Sequence, residues 1–382
     1  MLQQKLYGST RPGTQATSAT RLSRRAALTR GAAAALAGVG LLGLPTPGLA
    51  GGLSASAAAW GAFRERFVRG GRIIDNGNGG VSHSEGQGTA LLAAAFCGDR
   101  QMFDDILDWT RSTLSRPYDH LHAWRFRPTA AVQVDDPNNA TDGDLLIAWS
   151  LFVAAGRWDH APYRTLALAM TRDILNGLVA TTTFGTTLMP GASGFRDRTS
   201  LTVNPSYYVF PAIQRLAREM PDPRLERLSR DGMMLLRAAR FGRWGLPPDW
   251  LTLLPNGKIT PAEKWPTRFS FDAVRVPLYM CWGGFAQDQV VEAVHSFWSR
   301  PGQTRVPAWI DLNSEEQASY NITPGVAAIR HFVAEQRSGA DTTLHDTFSG
   351  GIPPIAAAND YYSAALILQV CLAKDDTAAR MS

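Results

Sequence analysis

Residues 144–156 read DLLIAWSLFVAAG, in which ten apolar residues follow the acid and are interrupted only by Ser150. A helix that is apolar on every side must be enclosed by the rest of the protein, because any exposed face would place apolar side chains in water. Residues 86–98, 272–282 and 361–373 have the same character. We therefore predict four enclosed helices in this chain.

A second kind of helix carries one apolar stripe. Residues 103–114 and 164–178 place apolar side chains at helical spacing between charged ones, which is typical of a helix with one face toward water. Because striped helices follow enclosed ones along the chain, the sequence predicts inner helices that are each followed by an outer helix, in concentric rings. Further helices, which bring the total to about eleven or twelve, are predicted over residues 54–68, 205–218, 222–239, 287–299 and 318–336.

The chain contains little sequence of β type. Alternation of apolar and polar residues is confined to short pieces near residues 72–74 and 184–188. No linker rich in proline or serine follows residue 51. We therefore predict one all-α domain over residues 51–382, with no appended binding module.

The first fifty residues have the layout of an export signal. Arg24 and Arg25 precede an apolar run over residues 31–44, and small residues follow it. The paired arginines resemble a twin-arginine signal, and the run is shorter than the ~20 residues of a membrane-spanning helix. We predict that residues 1–50 are removed on export and that the protein is periplasmic or secreted, without stable membrane insertion. An uncleaved anchor or an amphipathic helix is the alternative, and cleavage within residues 54–59 is also open.

The distribution of charge excludes one class of function. The chain has 38 basic and 33 acidic residues, but its first fifty residues contain six basic residues and no acidic one. Residues 51–382 therefore carry a net charge of −1. A protein that binds nucleic acid through phosphate contacts needs a basic face, so we do not expect a nucleic-acid partner.

Neither the cysteines nor the histidines are spaced as metal ligands. Cys97, Cys281 and Cys371 are far apart, odd in number and each within an apolar stretch, which is typical of buried free cysteines. The seven histidines form no H-E-x-x-H or similar cluster. We expect no catalytic metal and no cofactor.

Three acidic residues stand where predicted enclosed helices begin, namely Glu85, Asp142 and Asp272. Helix capping would explain any one of them, because an acid in a first turn accepts free backbone N–H groups and complements the helix dipole. If the inner helices are parallel, however, their N-terminal ends meet on one face of the molecule. The sequence then predicts a site at which three carboxyls gather.

Aromatic residues are dense in the loops and helix starts near these acids. Flat aromatic faces suit the C–H faces of sugar rings, although core packing is the alternative for each residue. Trp124 is the best candidate, because it lies in a polar loop eighteen residues before Asp142. The other aromatic candidates are Trp244, Trp250, Trp265, Tyr207, Tyr208, Tyr361 and Tyr362.

Several segments together resemble glycoside hydrolase family 8. Their sequences are SEGQG at 84–88, ATDGDLLIA at 140–148, NPSY at 204–207 and RFSFDAVRVP at 268–277. These motifs are long, keep a common order and span about residues 60–375, and they are most similar to those of the periplasmic endoglucanases encoded with bacterial cellulose synthases. Phe152 departs from the family pattern, which has an aliphatic residue or glycine there.

The resemblance implies an (α/α)6 barrel that hydrolyses β-1,4-glucan with inversion. Glu85 then resembles the general acid, Asp272 the general base, and Asp142 the residue that positions the substrate at the cleaved bond. An aspartate at position 272 favours the glucanase and xylanase branch over the chitosanases. The expected substrate-binding residues are Trp124, Tyr207, Arg275 and Tyr362.

The expected partners are β-1,4-glucan (cellulose) chains, with a loose association with a cellulose synthase complex. An inverting glycosidase holds its two carboxyls ~6.5–9.5 Å apart so that a water molecule fits between base and sugar. Two alternatives stay open from sequence alone. One is a sister hydrolase that acts on xylan, mixed-linkage glucan or chitosan, and the other is a weakly catalytic, cellulose-binding assembly protein.

Overall fold

The computed structural model describes residues 54–338 and 351–381. The predicted export signal, residues 1–50, lies outside the described residues. The described residues contain eleven α-helices: α1 (Ala55–Phe67), α2 (Ser84–Cys97), α3 (Arg100–Leu114), α4 (Thr141–Trp158), α5 (Ala161–Gly177), α6 (Phe210–Glu219), α7 (Pro223–Ala238), α8 (Arg275–Trp282), α9 (Gln289–Trp298), α10 (Pro324–Ser338) and α11 (Tyr361–Met381).

The helices form two layers. α2, α4, α6, α8, α10 and α11 contact one another in a closed cycle of six, and the other described helices pack against this cycle. The four helices predicted to be enclosed, α2, α4, α8 and α11, all belong to this inner cycle. In α2 and α4 nearly every residue is buried, as their all-round apolar sequences require. The predicted all-α (α/α)6 barrel is confirmed.

Two glycines bring the N-terminal ends of α2 and α4 together. A Cβ atom on Gly88 would lie 2.7 Å from Cβ of Leu146, and one on Gly143 would lie 2.7 Å from the backbone nitrogen of Glu85. Any larger residue would push the two helices apart at these points, because such distances are well inside van der Waals contact. The glycines therefore set how closely the first turns of these helices approach.

Short antiparallel strands connect the helices. Their bounds are β1 (Val68–Arg69), β2 (Arg72–Ile73), β3 (Ser82–His83), β4 (Arg125–Phe126), β5 (Val179–Thr182), β6 (Gly185–Leu188), β7 (Leu201–Val203), β8 (Leu251–Leu253), β9 (Ile259–Pro261), β10 (Arg268–Phe269) and β11 (Ile310–Asp311). β1–β2, β3–β4, β5–β6 and β10–β11 are two-stranded pairs, whereas β7, β8 and β9 form one sheet in that order. The two β pieces predicted from sequence correspond to β2 and β6. The three-stranded sheet was not predicted.

Three helices begin later than the sequence indicated. Residues 205–218 contain a short 3-10 turn, Pro205–Tyr207, before α6 begins at Phe210. Helix α10 begins at Pro324 rather than near residue 318, which agrees with the preference of proline for the first turn of a helix. Helix α8 begins at Arg275, so that Asp272 lies in the turn before it rather than within the helix.

Candidate active site

A cleft lies where the first turns of α2 and α4 meet the turn before α8. Its volume is about 490 Å³, and Glu85, Asp142 and Asp272 all line it. Glu85 comes from the first turn of α2, and Asp142 comes from the first turn of α4. The structure therefore brings together the three acids that were predicted to converge.

One arginine joins the three carboxyls. Nη1 of Arg275 donates hydrogen bonds to Oε1 of Glu85 at 2.8 Å and to Oδ2 of Asp142 at 3.1 Å. Nη2 donates to Oδ1 of Asp272 at 2.8 Å and to Oγ of Ser206 at 3.0 Å. The Arg275 side chain is 1% exposed, so these bonds form away from bulk water. Glu85 and Asp142 thus bind a cation, and helix capping alone does not explain their positions.

The three carboxyls differ in their access to the cleft. The side chain of Glu85 is 21% exposed and that of Asp272 is 10% exposed, whereas that of Asp142 is 1% exposed. A group that exchanges a proton with substrate or water must reach the cleft. Glu85 and Asp272 meet this condition best, and Asp142 lies behind them.

Burial favours the protonated form of two carboxyls in this site. Burial raises the pKa of Asp142 to about 7, and the negative charge of Glu85 acts in the same direction, while Arg275 opposes it. Burial also raises the pKa of Asp272, and here Arg275 is the strongest opposing influence. Three carboxyls around one guanidinium carry a net charge of −2 when all are ionised, so protonation of one of them relieves the repulsion.

The four predicted substrate-binding residues also line the cleft, although they are largely buried. Trp124 is 6% exposed, and its Nε1 donates to Oδ2 of Asp136 at 2.9 Å. The guanidinium of Arg125 lies 4.2 Å from the centre of the Trp124 ring. These contacts fix the indole firmly in the cleft wall, so part of its role is packing.

The two predicted tyrosines flank the turn that carries Asp272. The Arg275 guanidinium lies over the ring of Tyr207, 5.9 Å from its centre. The hydroxyl of Tyr362 donates a hydrogen bond to the carbonyl of Phe271. Burial raises the pKa of both phenols well above its usual range, so both hydroxyls stay protonated and can donate.

A stack of aromatic rings forms one wall of the cleft. The ring centres of Trp250 and Trp265 are 4.5 Å apart with planes 11° from parallel, and Phe195 stacks on Trp250 at 5.8 Å and 5°. All three residues line the cleft. Trp250 and Trp265 were among the aromatic candidates from sequence, whereas Phe195 was not. Phe195 and Trp250 are buried, whereas Trp265 is half-buried, so its ring is the part of the stack that a sugar ring could contact.

Asp249, which no sequence pattern singled out, lines the same cleft. Its Oδ1 accepts hydrogen bonds from the backbone N–H groups of Ser270 at 3.0 Å, Asp272 at 3.2 Å and Ala273 at 2.8 Å. Burial, with the charge of Asp272 as the next cause, raises the pKa of Asp249 to about 7. Asp249 lies in a loop rather than at a helix start, so the pattern that selected the other acids did not reach it.

Two wider features of the described residues bear on function. Within residues 54–338 and 351–381, no group of three or more His, Cys, Asp or Glu side chains is arranged to hold a metal ion. Across that same part of the chain, no helix has the length and apolar character that crossing a membrane requires.

Comparison with known proteins gives concordant similarities. Residues 46–376 match the family model described as glycosyl hydrolases family 8. The chain is 40% identical to a probable endoglucanase from Novacetimonas hansenii, over 90% of this chain and 96% of that one. It is 39% identical to an endoglucanase from Cellulomonas uda, over 71% of this chain and 76% of that one.

A solved structure is also similar. The endo-beta-1,4-glucanase CMCax from Acetobacter xylinum superposes with a TM-score of 0.79 at 40% sequence identity. The match covers 85% of this chain and 99% of that one. The similarity thus extends over nearly the whole of the described barrel.

Proposed function

The chain belongs to glycosyl hydrolases family 8, as its motifs predicted, and we propose that it is an inverting endo-β-1,4-glucanase that hydrolyses cellulose-type glucan. Similar chains at 39–40% identity are endoglucanases or a probable endoglucanase, and they are matched over most of their length. The observation that carries the proposal is the cluster in which Arg275 binds Glu85, Asp142 and Asp272 within one cleft.

Glu85 is proposed as the general acid. As the bond between the anomeric carbon and the glycosidic oxygen breaks, its electron pair goes to that oxygen, which takes the proton of Glu85. Glu85 has the most exposed side chain of the three acids, and it shares Nη1 of Arg275 with Asp142.

Asp272 is proposed as the general base. A water molecule attacks the anomeric carbon from the face opposite the leaving oxygen and gives its proton to Asp272. The 2.8 Å bond to Nη2 of Arg275 favours the ionised carboxylate that this step needs. Asp272 and Glu85 bind different nitrogens of one guanidinium, so the guanidinium keeps the two carboxyls apart. Inversion, rather than direct attack by Asp272 on the sugar, is proposed from the family resemblance of the motifs that carry these acids.

Asp142 is proposed to position the sugar at the cleaved bond. Its carboxyl is almost fully buried behind the other two, with Oδ2 on Arg275 and Oδ1 accepting the N–H of Gly143 at 2.9 Å. Both oxygens are therefore held in fixed directions, which suits a positioning role.

The substrate is proposed to lie along the aromatic wall. Phe195 and Trp250 are buried, so Trp265 is the member of the stack that offers an accessible ring, while Tyr207 packs edge-on against Trp250 with ring centres 6.1 Å apart. Glucan rings present C–H groups on both faces and hydroxyls at their rims, so they match such a surface. Trp124 is proposed to contribute a ring to the other side of the cleft.

Export and cellular association are part of the proposal. Residues 1–50 support secretion or a periplasmic location through their twin-arginine-like layout. The loose association with a cellulose synthase complex is supported only by the resemblance of the motifs to endoglucanases encoded with such synthases.

A reducing-sugar assay on a panel of polysaccharides tests the proposal. Carboxymethylcellulose should be cleaved, with a rapid fall in viscosity because an endo-acting enzyme cuts inside the chain, and Asp272→Asn protein serves as the control. If xylan, mixed-linkage glucan or chitosan is cleaved in preference to carboxymethylcellulose, that polysaccharide takes the place of cellulose as the proposed substrate. Binding to cellulose with no hydrolysis of any of the four would instead indicate an assembly protein.

A further inference from the structure

We propose that Asp249 is a positioning residue that fixes the turn on which the general base is carried. The inference rests on the proposed role of Asp272. Asp249 has been assigned no function above, and it acts on Asp272 through the backbone of the turn.

The hydrogen bonds of Asp249 converge on this turn. Its Oδ1 accepts N–H groups from Ser270, Asp272 and Ala273, and its own backbone N–H donates to the carbonyl of Arg268 at 2.8 Å. Side chain and backbone of one residue thus bind the segment from 268 to 273. A carboxyl oxygen that accepts three N–H groups fixes the path of those residues more firmly than a single bond would.

The turn needs an external acceptor because of how α8 begins. The N–H groups of Val274, Arg275 and Val276 bond back to the carbonyls of Ser270, Asp272 and Ala273. The N–H groups of residues 270, 272 and 273 come before the helix and therefore have no helical carbonyl to donate to, as at any helix N-terminus. Asp249, from another segment of the chain, accepts all three.

Asp272 is therefore held at both ends. Asp249 fixes its backbone nitrogen, and Nη2 of Arg275 fixes its Oδ1 at 2.8 Å. The hydroxyl of Tyr362 adds a bond to the carbonyl of Phe271, next to Asp272. Because the backbone and the carboxylate of the base are both restrained, the carboxylate keeps one orientation in the cleft. The attacking water must lie within hydrogen-bond distance of that position.

The charges around Asp249 and Asp272 also favour a positioning role for Asp249 and a base at Asp272. In the part of the chain that the structure describes, Arg275 bonds to Asp272 and not to Asp249. Of two interacting carboxyls, the one without a guanidinium partner takes up a proton first. This agrees with the pKa of Asp249, which burial and the charge of Asp272 raise to about 7.

The test compares Asp249→Leu, which removes the acceptor, with Asp249→Asn, which keeps an acceptor oxygen. For Asp249→Leu we expect kcat on a soluble cello-oligosaccharide to fall by about 10–100-fold, because a displacement of ~1 Å can cost this much. The KM should change by less than about threefold, since the aromatic wall is untouched. Asp249→Asn should restore kcat to within about fivefold of the parent.

Asp222→Leu is the matched control. Asp222 caps α7 by accepting the N–H of Arg224 at 2.8 Å, and it does not line the cleft. Its loss should lower the melting temperature and leave kcat unchanged. If Asp249→Leu behaves in the same way, or if Asp249→Asn loses as much kcat as Asp249→Leu, the positioning role is wrong. Should Asp249→Leu fail to fold, Asp249→Ala, which lets water reach the three N–H groups, takes its place.

Asp272→Asn, assayed in parallel, separates this inference from the proposed function. If Asp272→Asn is inactive and Asp249→Leu matches the parent, the role of Asp249 is wrong while the base stands. If Asp272→Asn keeps its activity, the assignment of the base is wrong, and the inference about Asp249 falls with it.

Discussion

Asp272 and Arg275, three positions apart in the chain, form an ion pair with 2.8 Å between Oδ1 and Nη2. The other terminal nitrogen of the same guanidinium binds Glu85 at 2.8 Å. The two carboxyls proposed for opposite steps of the reaction therefore share one buried cation. A change in the charge of either carboxyl alters the electrostatic energy of the other through Arg275, because interactions between charges are strong away from bulk water.

The first prediction concerns the two proposed catalytic residues. Glu85→Gln and Asp272→Asn should each lower kcat on carboxymethylcellulose by about 10²–10⁴-fold, which is the usual contribution of a general acid or base. Both changes keep the shape and the ability to accept from Arg275, so circular dichroism and the binding of cello-oligosaccharide should be nearly unchanged. A loss of less than tenfold at either position would refute the role given to that residue.

The second prediction follows from the raised pKa of Asp142. Burial moves this pKa from 3.8 to about 7 in the folded protein. A carboxyl whose pKa is higher in the folded than in the unfolded state stabilises the fold fully below its unfolded pKa, and this contribution is lost as the pH rises to about 7. Asn does not ionise, so Asp142→Asn protein does not lose stability in this way as the pH rises. The free energy of unfolding of the variant relative to the parent should then increase from about pH 4 to about pH 7, by up to ~1.4 kcal/mol per pH unit.

Denaturant unfolding at several pH values measures this difference. Asp222→Asn is a useful control, because the Arg224 side chain lowers the pKa of Asp222 from 3.8, so its contribution changes only at lower pH and the difference from the parent should stay nearly constant over this pH range. Parent and Asp142→Asn curves that run parallel across this pH range would contradict a protonated Asp142 in the folded protein.

The third prediction tests sugar stacking at Trp265 rather than at Trp124. Trp124 is 6% exposed, and truncation of a buried tryptophan costs ~3–5 kcal/mol of stability, which would obscure an effect on binding. Trp265 is half-buried at the edge of the stack. Trp265→Ala should raise the KM for long cello-oligosaccharides about three- to tenfold, as expected for an aromatic contact of ~0.5–1.5 kcal/mol.

Trp244→Ala provides the matched control for Trp265→Ala. Trp244 is also partly buried and packs against Phe297, but it does not line the cleft. The KM of Trp244→Ala should equal that of the parent. Equal KM values for the parent, Trp265→Ala and Trp244→Ala would remove Trp265 from the substrate-binding surface.

How far the site could be predicted depended on the range of the interactions that build it. Glu85 and Asp142 stand in the first turns of apolar helices, and both features are visible in a short stretch of sequence. The parallel packing of inner helices then gathers them without further information. Asp249, in contrast, meets Asp272 across 23 positions of chain, through backbone N–H groups that have no sequence signature.

The same contrast applies to the fold. The apolar run from 272 to 282 predicted a helix that starts at Asp272, but the N–H groups of that turn bond to Asp249, and the helix starts at Arg275. The pairing of Leu201 with Leu253 joins strands of three residues that are fifty positions apart. Strands this short show no alternation that a sequence pattern could detect.

The fourth prediction concerns export. Residues 1–50 contain six basic residues and no acidic residue, and they include the paired Arg24 and Arg25 before a short apolar run. N-terminal sequencing of periplasmic or secreted protein should begin between about residues 51 and 60. Replacement of both arginines by lysine should block export if the twin-arginine route is used. Protein found only in membranes with Met1 intact would show that the segment is an anchor.

The last prediction tests the role of Asp272 through stereochemistry. If Asp272 activates water, cleavage is a single displacement, and the new reducing end is formed as the α anomer. If Asp272 attacked the sugar itself, a covalent intermediate would form, and the product would retain the β configuration. Glu85 and Asp272 bind different terminal nitrogens of Arg275, and the first course is the one that the family resemblance implies. Proton NMR within the first minutes of cello-oligosaccharide hydrolysis should show the α anomer rising first. Early accumulation of the β anomer would make Asp272 a nucleophile while leaving the glucan substrate in place.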